Sequence, residues 1–210
     1  MQKEQTHPDR ETNTLEQFPE GLFEQRDIVV LGEMAHGEHY KTILAFLDKF
    51  GPQIDRIFIE LPVDYQGSVD KYVATGEVDE ELEDFFIGAE KEGKNVRGLL
   101  EVFDKAKEIG KMVSCFDSSK TKVGEYQKTS KRGAYFLRGE SRDDDMFVNL
   151  KRHYERAPGK YLLIVGGNHA RDGRYPEGDE RLGAMLKNLF GEKYISFEMQ
   201  RENNRTYANE

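Results

Sequence analysis

Ile28-Val29-Val30-Leu31-Gly32-Glu33-Met34-Ala35-His36-Gly37-Glu38-His39 joins four consecutive apolar residues to a turn crowded with acids and histidines. An unbroken apolar run of this kind predicts a strand covered on both faces, as in a parallel sheet. Downstream, Ile43, Leu44, Leu47 and Phe50 recur at helical spacing, and Gly51-Pro52 stops the helix. Strand, polar turn and helix make one half of a βα unit. In open α/β sheets ligands sit beyond the carboxyl ends of the strands, where the next helix offers its N-terminus to an anion or a developing negative charge.

The same alternation continues along the chain. Strands are predicted at Asp27 to Glu33, Arg56 to Leu61, Met112 to Phe116, Tyr161 to Val165 and Lys193 to Met199. A helical region from about Val63 to Ile109, broken near Thr75-Gly76 and Glu92-Gly93, separates the second and third strands. A helix from about Ser141 to Pro158 precedes the fourth, and a short one from Glu180 to Phe190 precedes the fifth. Such a pattern implies an α/β fold: a mainly parallel β-sheet flanked by α-helices, with right-handed crossovers and the site at the C-terminal ends of the strands. A chain of 210 residues suits one domain. It is expected over residues 21–200, between a flexible arm at 1–20, where His7 is solvated, and a polar tail at 201–210.

Charged residues make up 34% of the chain and the formal net charge is -9, which argues against nucleic acid and anionic membrane surfaces as partners. A cationic or neutral ligand suits that charge better. Cys115 is the single cysteine and lies in an apolar run, so it reads as a core residue and no disulfide framework exists. No stretch approaches the roughly 20 apolar residues of a membrane span, and the polar N-terminus has no apolar signal core. The expectation is a soluble, cytoplasmic protein, unless an export signal has been removed. Asp79 to Glu92 is strongly acidic with an apolar stripe of Leu82, Phe85, Phe86 and Ala89, and reads as a solvated helix face or as a lid over the strand ends. Residues 120–139 lose periodicity and gather Tyr126 and Tyr135 in a long loop.

Four predicted strand ends deliver Glu33 with His36, Glu60, Asp117 and His169. Parallel strands put these ends on one edge of the sheet. A histidine near neutral pKa can take a proton from water, and a carboxylate beside it fixes the tautomer and stabilises the imidazolium. Glu33, His36 and His169 are also a candidate set for a divalent metal such as Zn, Mn or Fe, since imidazole and carboxylate oxygen suit these ions. His39 follows His36 by about one helical turn and is a candidate ligand or supporting group. His153, among Lys151, Arg152 and Glu155, reads as a surface residue. Arg142 and Asp143 open a helix, where capping and surface pairing compete with an inward arginine that pairs a site carboxylate.

With these residues assembled, the chain resembles the superfamily of erythromycin esterase-like proteins, ChaN-like haem-binding lipoproteins and Tiki or TraB-type proteins. Leu31 to Gly37 is similar to L-G-E-x-x-H-G, Ile57-Phe58-Ile59-Glu60 to a second strand ending in glutamate, Arg142-Asp143 with Met146 and Asn149 to R-D-x-x-M-x-x-N, and Gly166 to His169 to G-x-x-H. The chain departs from the esterase pattern at Tyr40, Ala45 and Gly166, and it is much shorter than a macrolide esterase. The resemblance implies a hydrolase acting on an ester or amide of a small molecule or peptide. His36 would be the base, Glu33 its partner, His169 and Glu60 electrophilic, metal or supporting groups, and Arg142 a charge partner. Its other branches imply a haem or metal carrier without turnover, with histidines or Tyr126 and Tyr135 as ligands. A non-catalytic interaction domain that keeps the fold is the third expectation.

Overall fold

The computed structural model describes residues 18–33, 39–123, 136–137, 140–175, 178–199 and 206–209. A short helix α1 (Leu22–Gln25) leads into β1 (Ile28–Glu33), α2 (Tyr40–Phe50) and β2 (Arg56–Pro62). Three helices follow, α3 (Gln66–Thr75), α4 (Glu80–Lys91) and α5 (Gly98–Glu108), then β3 (Met112–Asp117) and the two-residue strands β4 (Phe136–Leu137) and β5 (Glu140–Ser141). The chain continues through α6 (Arg142–Arg156), β6 (Tyr161–Gly166), α7 (Gly167–Ala170), α8 (Leu182–Phe190), β7 (Tyr194–Met199) and β8 (Thr206–Asn209). The α/β fold expected from the alternation is the fold observed.

Five parallel strands lie in the order β3-β2-β6-β1-β7, and β8 pairs antiparallel on the outer side of β7. The successive strands β1 and β2 are not neighbours, because β6 enters between them. Side chains alternate across β1, so Val29 and Leu31 face one helical layer while Ile28 and Val30 face the other. On the first face α2 to α5 contribute Ile43, Phe46, Leu82 and Phe103; on the second, α6 and α8 contribute Met146, Leu150, Leu182 and Leu186. Gly32 is required where α7 crosses β1, since a Cβ there would lie 2.5 Å from the Ala170 Cβ.

Two boundaries differ from the sequence reading. Phe18, assigned to the flexible arm at 1–20, is buried with its ring centroid 4.8 Å from that of Phe46 and 5.0 Å from that of Phe197. A lone aromatic in a polar stretch carries no periodicity, so its burial is invisible locally. Within the polar tail at 201–210, Thr206–Asn209 forms β8 and covers the outer edge of β7. Backbone pairing, which polar residues can also supply, holds that strand.

The opposite edge is closed by a side chain. Gln66, at the start of α3, donates from Nε2 to the Val113 carbonyl at 2.9 Å and accepts at Oε1 from the Cys115 N–H at 2.8 Å. Its amide therefore stands in for a neighbouring strand on β3, which is how an edge avoids pairing with another chain. Gln66→Ala is expected to lower stability by about 1–2 kcal/mol and to promote self-association. Urea unfolding with sedimentation velocity checks this; an unchanged midpoint and a monodisperse boundary would refute the role.

Candidate functional site

The strand ends are joined by a chain of buried charges. Glu60 follows the last β2 residue paired with β6, Ile59 opposite Ile164, and lies where register with β3 shifts between Ile59 and Pro62. That irregularity turns the Glu60 carboxylate toward β6, where Oε2 accepts the Gly166 N–H at 2.5 Å. The other oxygen, Oε1, accepts from Arg142 Nη2 at 2.9 Å and lies 3.4 Å from His169 Nε2. Arg142 reaches back across the sheet to Asp117, donating from Nε at 3.1 Å and also from Nη2. On the far side His169 Nδ1 meets Asp143 Oδ1, and Asp143 Oδ2 accepts the Leu182 N–H at 3.1 Å.

Helix α6 explains how Arg142 and Asp143 serve different partners. Adjacent helical residues point about 100° apart, so one side chain turns to β2 and β3 and the next to α7 and α8. Met146 and Asn149, four and seven residues on, return to the face of Arg142. Met146 is buried in the second core, and Asn149 donates to the Phe116 carbonyl at 3.0 Å and the Asp117 carbonyl at 3.5 Å, tying down the end of β3. Arg142, Met146 and Asn149 thus form one helical stripe that anchors two strands, with Asp143 turned away from it.

Burial drives these carboxylates and the imidazole in different directions. Asp117 is 1% exposed, and burial holds its carboxyl above the usual range while Arg142 opposes that rise. For His169, at 3% exposure, burial alone would favour the neutral ring. The carboxylates of Glu60 and Asp143 outweigh it and push the imidazolium up to about 10. With a carboxylate oxygen at each ring nitrogen, His169 is a clamped cation at neutral pH. Nδ1 of His169 meets Asp143 and Nε2 lies 3.4 Å from Glu60 Oε1, so both ring nitrogens face carboxylates. Among the described residues no group of three or more metal-binding side chains is assembled.

A cavity of about 390 Å³ opens above this network. Glu33, Glu60, Asp117 and Arg142 face it together, while His169 does not line it and acts through Glu60. The acidic helix α4 forms part of the wall through Asp84, Phe85, Gly88 and Ala89, so the stretch with two sequence readings covers the strand ends. Tyr40 stands beside the cavity, with its ring packed where Gly98 has no side chain; a Cβ there would be 1.8 Å from Tyr40 Cδ2. Burial and nearby Glu33 raise the Tyr40 hydroxyl well above its ordinary value.

His36, Met34 and Glu38 lie outside the described residues, as do Tyr126 and Tyr135. His39 is buried at the N-cap of α2 and is not among the described residues lining the cavity. His153, read as a surface residue, packs half-buried and edge-on against Phe58 at 5.3 Å, where burial and then Arg56 and Arg156 lower its pKa. Cys115 is buried and its thiol is pushed up to about 12, so it offers no nucleophile. Asp143, read from the sequence as a helix-start residue beside Arg142 and given no site role, is the partner of His169 Nδ1. It sits in Arg142-Asp143-Asp144-Asp145 at a helix start, where acids are ordinary.

No family model and no curated protein matches the chain. Solved structures match its fold. A structure of bacterial protein toxins aligns with TM-score 0.60 at 17% identity, over 90% of this chain and 37% of that one. A protein from Bacillus cereus aligns with TM-score 0.60 at 14% identity, over 90% of this chain and 71% of its own length. The erythromycin esterase EreC, as its H289N variant in the open conformation, aligns with TM-score 0.59 at 13% identity, over 84% of this chain and 70% of its own. The chain thus spans little more than a third of the toxin structure and about seven tenths of the other two. At these identities the shared property is the fold.

Proposed function

We propose that the chain is a hydrolase of small-molecule or peptide esters or amides, with its reaction in the cavity over the strand ends. The observation that carries this reading is the convergence of Glu33, Glu60, Asp117 and Arg142, from four separate elements, on one cavity of about 390 Å³. Pockets of this size with a few convergent polar groups are the usual setting for catalysis on small substrates. The fold likeness to an erythromycin esterase supports the same direction.

In the proposed reaction His36, three residues after Glu33, takes a proton from water as the oxygen attacks the carbonyl carbon. Glu33 stabilises the imidazolium that results. As the C–O or C–N bond breaks, the same proton passes to the leaving alkoxide or amine, which returns His36 to its neutral form. Arg142 is held by Glu60 and Asp117, so its role is to fix the acidic floor of the cavity rather than to grip substrate. His169 and Asp143 brace Glu60 from behind.

The test is an ester and amide panel on the wild-type chain, followed by His36→Ala and Glu33→Gln on any hit. Loss of about 10²–10⁴-fold in kcat for His36→Ala, with an unchanged circular dichroism spectrum, is the expected outcome. Full turnover by that variant would remove His36 from the mechanism.

A further inference from the structure

We propose that this cavity takes an amphipathic organic cation, a molecule whose apolar body carries an ammonium or guanidinium group. The inference rests on the cavity being the substrate site and adds the charge class of what enters it. Acidic residues alone would not define a site. Here they line a half-open cavity to which Ile59, Leu61, Phe85, Val96 and Leu99 add apolar wall. An apolar body of drug-like size has somewhere to go.

The charge balance of that space is lopsided. Among the described lining residues the acids are Glu33, Glu60, Asp84, Glu92 and Asp117, against Lys94, Lys120 and Arg142. Each of the three bases is already held by an acid: Arg142 by Glu60 and Asp117, Lys94 by Glu92 at 2.7 Å, and Lys120 by Glu81. A more open bowl adjoins the cavity, sharing Tyr65, Asp84 and Lys120 and adding Asp79, Glu80 and Glu81. Approach and interior therefore carry the same sign. Clefts of one sign with low-dielectric walls focus the field and concentrate the counter-charged ligand.

An independent feature sits at the junction of the two spaces. Tyr65 and Phe85 lie with ring centroids 5.2 Å apart, and the Lys120 ammonium rests 3.7 Å above the Tyr65 ring centroid. That ring face already accommodates a cation, with the quadrupole and nearby carboxylates acting together. A ligand ammonium beside or in place of Lys120 would meet the same environment. A carboxylate there would meet repulsion from Asp84 and Glu81.

The test uses three probes of one size, 4-phenylbutylammonium, 4-phenylbutanol and 4-phenylbutanoate, titrated into the wild-type chain and into His36→Ala near neutral pH. Amide chemical shifts of the cavity-lining residues report binding. The cation is expected to bind at least about tenfold more tightly than the alcohol and to lose most of that advantage in high salt and in Asp84→Asn. Equal or better binding of the alcohol or the carboxylate, or selectivity unchanged in Asp84→Asn, would overturn the proposal. Charge selectivity with no hydrolysis of any panel ester or amide would leave it standing and count against the hydrolase reading. Preferential hydrolysis of anionic esters would do the reverse.

Discussion

Replacing Arg142 with methionine is expected to destabilise the fold by about 3–5 kcal/mol, far more than loss of an exposed ion pair at about 0–1 kcal/mol. The guanidinium lies between Glu60 and Asp117, whose side chains are 8% and 1% exposed. Without it two neighbouring carboxylates remain out of water with a shared cation removed. Burial already raises the Asp117 carboxyl, and Arg142 is the main force holding it down. In the variant Asp117 would take up a proton more readily, so the loss grows as pH rises and shrinks in acid. Urea unfolding at about pH 5 and about pH 8 should show that slope. Adding Glu60→Gln and Asp117→Asn should recover part of the stability, because the buried charges go with their partner. A loss below about 1 kcal/mol at the higher pH would mean that water reaches the carboxylates.

Asp143→Asn should have the next largest effect, about 2–4 kcal/mol, and should change how stability responds to alkali. In the native chain the carboxylates of Glu60 and then Asp143 counter burial and push the His169 imidazole up to about 10 from an ordinary value of 6.5. A folded-state value raised in this way means that the ion pair's contribution is complete below about pH 6.5. It is lost progressively as pH climbs through 10. Asparagine can still accept the Leu182 N–H through its carbonyl oxygen. Its uncharged amide no longer anchors the imidazolium, so only Glu60 is left to hold the proton. Imidazole titration followed by NMR should place His169 lower in the variant, and stability should begin to fall nearer neutrality. An unchanged titration would show that Asp143 does not hold the charge. The effect reaches the cavity through Glu60, the residue that both the histidine and Arg142 contact.

Several parts of this arrangement are legible in the residues themselves. Ile28 to Leu31 and Tyr161 to Val165 are continuous apolar runs, and such runs specify buried parallel strands because both faces must be covered. The polar residues that end each run, Glu33, Glu60, Asp117 and the Gly166 to His169 turn, follow directly at the C-terminal edge. The helical stripe of Arg142, Met146 and Asn149 is also a local property, set by 3.6 residues per turn. Partnership is not local. That Arg142 turns to Glu60 and Asp117 while Asp143 turns to His169 depends on where α6 docks, which the run of three aspartates does not encode.

The sequence by itself determined the α/β class, the five parallel strands, and the edge of the sheet on which acids and imidazoles gather. Those follow from hydrophobic period and from the polarity of the residues after each strand, both of which act within a few residues. Only the tertiary structure decided the strand order β3-β2-β6-β1-β7, in which β6 separates the successive strands β1 and β2. That insertion brings Gly166 and His169 against Glu60, and so leaves the imidazole clamped between the carboxylates of Glu60 and Asp143. Strand order is set by how the helical layers cover both faces, a balance of long-range packing that no local pattern encodes.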